Sequence, residues 1–182
     1  MASPINCLSI LIIPLLVTSL FYQVSATGPA VDEALLNSVC DKTQDSSFCL
    51  ATLKGDQRTF VGDKDHLAIV SIAIAIDAVQ VTFDQIPGIL SKLSDQVDRT
   101  RMENCHSDFN DALVTLRKAY AASSSKSYKE STSLIIDATN KLRACHNSYR
   151  APPIRQSPIF DAYTGVYKKT GIAVAVIDTI SA

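Results

Sequence analysis

The chain has no tryptophan and few aromatics of any kind, with six phenylalanines and six tyrosines in 182 residues. Glycine is scarce as well, at six residues. All-β sandwiches and barrels draw on glycine turns and aromatic strand residues, so this composition argues for helices. No G-x-S-x-G, Gly-rich phosphate loop, H-E-x-x-H or paired-carboxylate motif occurs, and no enzyme class is indicated. Seventeen Lys and Arg face 18 Asp and Glu, a formal net charge of −1. That balance gives no electrostatic footing for nucleic acid or an anionic membrane. No Asn-x-Ser/Thr sequon occurs, so N-glycosylation is not expected.

What is present begins with an apolar leader. Residues 1–26 carry no charged side chain, and 7–21 are nearly unbroken apolar. This run is too short for a comfortable membrane span. Val24-Ser25-Ala26 supplies the small residues expected at a signal-peptidase site. The expectation is a signal peptide over 1–26, one mature domain over 27–182, and secretion to the extracellular space (apoplast) or vacuole. No Lys or Arg precedes the apolar run, which is unusual for a leader. A buried N-terminal helix is the competing reading, but a core helix would keep a polar face. No later run is read as a bilayer span.

Four segments repeat apolar residues at helical spacing. The first is Ile69, Ile72, Ile76, Val79, Phe83 and Ile86. Asp63 or Asp65 can cap its start, and Pro87-Gly88 is expected to end or kink it. Leu90, Leu93 and Val97 suggest a short continuation. The second is Met102, Cys105, Phe109, Ala112, Leu116 and Ala119. The third is Tyr128, Ser131, Ile135, Ala138, Leu142, Cys145 and Tyr149. The fourth is Tyr163, Val166, Thr170, Ala173, Ile177 and Ile180. Residues 121–127 and 151–158 read as Ser-rich and Pro-rich linkers. The fold class expected is all-α: an up-and-down four-helix bundle over 61–182, preceded by a helical hairpin over 27–60.

Cys7 departs with the leader and leaves four cysteines, an even number suited to an oxidising compartment. Four cysteines allow three pairings. Cys105 lies near the start of one helix and Cys145 near the end of the next, both on the apolar face. An antiparallel turn at 121–127 brings them level and argues for a Cys105–Cys145 bridge. Cys40 and Cys49 then close a turn between short helices at 31–39 and 48–54.

These residues carry a resemblance. Cys40-Asp41-Lys42-Thr43 with Phe48-Cys49-Leu50-Ala51-Thr52-Leu53 resembles the N-terminal hairpin of the plant invertase and pectin methylesterase inhibitor family. Asn104-Cys105, Ala112, Leu116, Ala119, Tyr128 and Ala144-Cys145 resemble its central helical hairpin. Ser157-Pro158 before an apolar last helix is similar too. The resemblance implies a secreted, non-catalytic inhibitor that needs no cofactor. It implies a one-to-one complex with a pectin methylesterase or an acid invertase, with the former slightly preferred. The chain departs from the family in two places. It has Asp45-Ser46 where the family hairpin often has Tyr-Pro. Invertase-directed members often carry Pro-Lys-Phe where this chain reads Ser125-Lys126-Ser127-Tyr128, which keeps the base and an aromatic without the proline.

An inhibitor acts through its polar faces. The candidate target-binding residues are Asp77, Gln80 and Asp84 on one helix, Asp108, Asp111 and Thr115 on the next, and Lys126 with Tyr128 beyond the turn. Tyr128 is the preferred anchor because aromatics dominate interface energetics, and core packing is its competing role. For any one of the charged residues, plain solvation of the bundle is the commoner role. His66, His106 and His146 are expected to make a complex sensitive to acidic pH. Two Cys-His neighbours could hold zinc on paper, but adjacent helical residues point about 100° apart, and secretion favours the disulfide. A lipid cavity behind the long apolar helix is a rival from another class, and ordinary bundle core is the simpler reading.

Overall fold

The computed structural model describes residues 31–182. The expected leader and the start of the hairpin domain lie outside the described residues. The elements, in order, are α1 (Glu33–Cys40), α2 (Ser46–Gly55), a 3-10 turn (Gln57–Phe60), α3 (Lys64–Leu90), α4 (Gln96–Ser124), α5 (Tyr128–Ser148) and α6 (Phe160–Ile180). Each of α3 to α6 packs on its sequence neighbour, and α6 closes back on α3, so the four form a bundle. The hairpin α1–α2 lies against α6.

Aspartate starts most of these elements. Asp32, Asp45, Asp56, Asp63 and Asp95 each accept a backbone N–H from the first turn that follows. Such a cap contributes about 1 kcal/mol, because it satisfies a donor with no intrahelical partner. Of the two candidates before α3, Asp63 is the cap, accepting from the His66 amide at 3.0 Å.

Every residue in the stripes of α4 and α6 is buried, as are all in α5 except the half-buried Tyr128. On α3, Ile72, Val79 and Ile86 are buried, and Ile69, Ile76 and Phe83 are half-buried. That stripe is only part of what the helix covers. Leu67, Ala68, Val70, Ile74 and Ala75 are also inside, because α3 packs against both α4 and α6. Length and composition alone would let α3 cross a membrane; here its apolar sides form bundle core. Cys105 is bonded to Cys145 and Cys40 to Cys49.

Helix boundaries differ from the sequence expectation in three places. Pro87 does not end α3, which runs on to Leu90. The proline sits in the last turn with an exposed ring, Ile86 stays buried, and the Ser91 amide still reaches the Pro87 carbonyl at 3.1 Å. The short continuation expected over Leu90, Leu93 and Val97 is part of α3 only as far as Leu90, and Val97 lies in the first turn of α4, which Asp95 caps. Finally, α4 continues through Ser124, so the connection to α5 is only Ser125, Lys126 and Ser127.

This short connection closes as a Schellman motif. The Lys126 amide donates to the Ser123 carbonyl at 2.9 Å and the Ser127 amide to the Ala122 carbonyl at 2.8 Å, with Lys126 at φ 58° in the left-handed region.

The Pro-rich connection 151–158 is pinned in place. Arg101, buried on α4, donates to the carbonyls of Ala151, Pro152 and Pro153 and lies over the Tyr149 ring. Arg155 pairs with Asp95 at 3.0 Å and Asp98 at 2.8 Å.

Candidate functional site

The expected target-binding residues fall into three groups. The first spans α3 and α4. Gln80 donates to Asp84 at 2.8 Å and accepts from Arg117 of α4 at 3.1 Å. One turn away, Asp77 accepts from Arg58 at 2.9 Å. Arg58 also grips Asp56 through two nitrogens, and this holds the Asp56 carboxyl below its ordinary value. A strip of alternating charge therefore runs from the 3-10 turn across α3 to α4.

The second group faces α5. Asp108 is half-buried, and burial, then the nearby Asp111, pushes its carboxyl up, with Lys141 opposing. Asp111 is exposed. Thr115 does not belong to a polar face. It is buried, and its hydroxyl donates to the Asp111 carbonyl at 2.8 Å. A threonine can satisfy its own hydroxyl one turn back along a helix, so polarity alone misplaced it.

The third group sits at one end of the bundle. Lys126 Nζ lies 2.5 Å from Asp65 Oδ2, and this contact holds the Asp65 carboxyl below its ordinary value. Among the described residues the Tyr128 hydroxyl is buried without a hydrogen bond of good geometry. Burial, then the Asp65 carboxylate close by, pushes its pKa up to about 12. Lys126, Tyr128, Lys129, Glu130 and Leu134 line an open depression there.

The structure thus joins Asp77, Gln80 and Asp84 in one strip and Lys126 with Tyr128 in one cluster, and leaves Asp108 and Asp111 on another side. Sequence reading missed Arg58, Arg117 and the pairing of Asp65. Each acts on a partner distant in the chain, and only the rotation of one helix about its neighbour brings them together.

The histidines lie against other groups. His106 stacks on Phe83 with ring centres 4.4 Å apart, and His146 stacks on Tyr163 at 4.4 Å. Burial, then Arg150, pulls the His146 pKa below its ordinary value. His66 fills the space beside Gly62, where an added Cβ would meet the His66 Cβ at 2.6 Å. The disulfide takes up both cysteines of the paper zinc site, Cys105 and Cys145.

Residues 34–176 match the family described as plant invertase/pectin methylesterase inhibitor. The chain belongs to this family. Its members are inhibitors rather than enzymes. The chain is 28% identical to a pectinesterase inhibitor of Actinidia deliciosa, over 81% of this chain and 80% of that one. It is 27% identical to pectinesterase inhibitor 5 of Arabidopsis thaliana, over 91% and 94%. It is 25% identical to cell wall / vacuolar inhibitor of fructosidase 2 of Arabidopsis thaliana, over 64% and 65%. Among solved structures, a mutant form of a pectin methylesterase inhibitor from Arabidopsis has a similar fold, with a TM-score of 0.69 over 79% of this chain and 95% of that one at 17% identity.

Proposed function

We propose that this protein is a secreted inhibitor of a plant pectin methylesterase. The observation that carries the choice of target is coverage: the two pectinesterase inhibitors match 81% and 91% of the chain, the fructosidase inhibitor 64%. The proposed mechanism is occlusion, in which a rigid helical face covers the enzyme's cleft in a one-to-one complex and no bond is made or broken. Two disulfides and the pinned 151–158 connection support it, because a pre-ordered surface gives up little entropy on binding. The surface proposed is the α3–α4 strip together with the Lys126–Tyr128 end. In this reading residues 1–26 direct the chain to the extracellular space or the vacuole.

A second target, an acid invertase, is favoured by one feature. The left-handed turn presents Lys126 beside Tyr128, a base and an aromatic at the position that resembles the invertase-directed tripeptide. Paired inhibition assays at mildly acidic pH decide between them. The proposal expects stoichiometric loss of pectin methylesterase activity with invertase untouched. Loss of invertase activity alone would replace it, and loss of neither would reject the inhibitor reading for both targets.

A further inference from the structure

A groove of about 260 Å³ lies between the α1–α2 turn and the bundle helices α5 and α6. It is separate from the proposed inhibitory surface. Its walls are largely apolar, formed by Ile136, Ile172, Val174 and the rings of Phe48 and Tyr167. Ile136, a large apolar side chain, is 49% exposed among the described residues.

The charges at this groove are unbalanced. Lys168 is paired with Asp45 at 2.8 Å, so these two cancel. Lys42 and Arg143 also line it, and neither has a carboxylate at ion-pair distance among the described residues. Arg143 is held over the Tyr167 ring, its Nη2 3.4 Å from the phenol oxygen, so the guanidinium is oriented without being neutralised. Gly171 borders the groove as well. It lies inside α6, and a Cβ there would meet nothing within 4 Å. The same open space is found at Gly165 on this helix, so Gly171 shows only that nothing among the described residues fills this part of the groove. The missing side chain leaves the groove open.

We propose that this groove binds a small aromatic carboxylate. The ring lies on the Ile136, Tyr167 and Ile172 wall above Gly171, and the carboxylate accepts from Arg143 and Lys42. The volume is just below the drug-sized range, which suits a one-ring molecule. A guanidinium and an ammonium facing an apolar wall select an anion with an apolar body over a neutral ring or an inorganic ion.

The probe is 4-hydroxycinnamate, titrated by calorimetry and by amide NMR into the disulfide-intact protein, with 4-hydroxycinnamamide as the neutral control. Saturable binding at one site is expected, with shifts centred on Thr139 and Gly171 and the amide binding at least about tenfold more weakly. Arg143→Gln should weaken the carboxylate about tenfold. Gly171→Leu should fill the groove and abolish binding while the helix melts no lower, since leucine is the better helix former. Gly165→Ala, on the same helix outside this groove, should bind as the parent does. Absence of saturable binding, equal affinity for the amide, or unchanged binding by Gly171→Leu would each overturn the assignment.

Discussion

Lys126 reaches back from the α4–α5 turn to Asp65 in the first turn of α3, with 2.5 Å between Nζ and Oδ2. The backbone that permits this contact is left-handed at a residue with a Cβ. Such a position costs about 1 kcal/mol and is usually filled by glycine. The lysine keeps a place that turn formation alone would give to glycine, which points to a use for its side chain.

Substitution separates turn from side chain. Lys126→Gly should relieve the backbone by about 1 kcal/mol and lose only a solvent-exposed ion pair, leaving the melting temperature unchanged or slightly raised. Lys126→Ala keeps the strain and loses the pair, so it should be less stable than the glycine variant by about 1 kcal/mol. If the side chain contacts the target enzyme, both variants should inhibit at least about fivefold more weakly. Full inhibition by Lys126→Gly would remove Lys126 from the interface.

Tyr128 poses a different question, because its ring packs against the core while its buried hydroxyl, with the Asp65 carboxylate close by, makes no hydrogen bond of good geometry among the described residues. Removing an unsatisfied hydroxyl is neutral or stabilising, so Tyr128→Phe should melt at or above the parent, by up to about 1 kcal/mol. Tyr128→Ala removes the ring and should destabilise by about 2–4 kcal/mol. An interface anchored by the ring predicts that phenylalanine keeps inhibition and alanine loses it, measured well below both melting temperatures. Loss in Tyr128→Phe would mean that the hydroxyl finds its partner on the target.

The stripes on α4, α5 and α6 could be read from sequence because burial on a bundle helix recurs with the helical period, and a tight core leaves little freedom in which residues face inward. The antiparallel placement of Cys105 and Cys145 followed from the same register. The ends of α3 and α4 were less legible. Pro87 has no N–H to give the carbonyl one turn back, yet the helix runs three residues beyond it, and the proline's own carbonyl still accepts from the Ser91 amide. The choice between Asp63 and Asp65 needed backbone geometry, since either could cap. The α3–α4 strip was half visible: Asp77, Gln80 and Asp84 share a face by spacing, but their arginine partners come from other elements. Thr115 was misread because its polar group is satisfied within its own helix.

The two bridges should contribute unequally. Cys105 and Cys145 are 40 residues apart in sequence, Cys40 and Cys49 only 9. Loop-closure entropy gives upper estimates of about 4 and about 3 kcal/mol respectively. Cys105→Ala with Cys145→Ala should therefore lower the urea midpoint more than the hairpin pair does. The hairpin pair should also loosen the turn that walls the groove beside α6. A larger stability loss from the hairpin pair would show that the unfolded chain is not what the bridges mainly restrain.

Acid should weaken the hold of the hairpin on the bundle through Asp45. Its carboxylate accepts from Lys168 Nζ at 2.8 Å, from the Ser47 hydroxyl at 2.9 Å and from the Phe48 amide at 3.0 Å. Chiefly through Lys168, these hold its pKa at about 2, below the ordinary 3.8. The folded state thus releases this proton more readily than the unfolded chain does. The stabilisation is fully present above pH 3.8 and is lost as pH falls from there toward about 2. Asp45→Asn keeps a good helix cap but neither titrates nor pairs with Lys168. The parent should melt higher than this variant near neutral pH, and the gap should close as pH drops through that window. Asp56, Asp65 and Asp95 also have lowered values, so some acid sensitivity should persist in the variant. A gap that stays constant down to pH about 2 would mean that the Lys168 contact does not survive in solution.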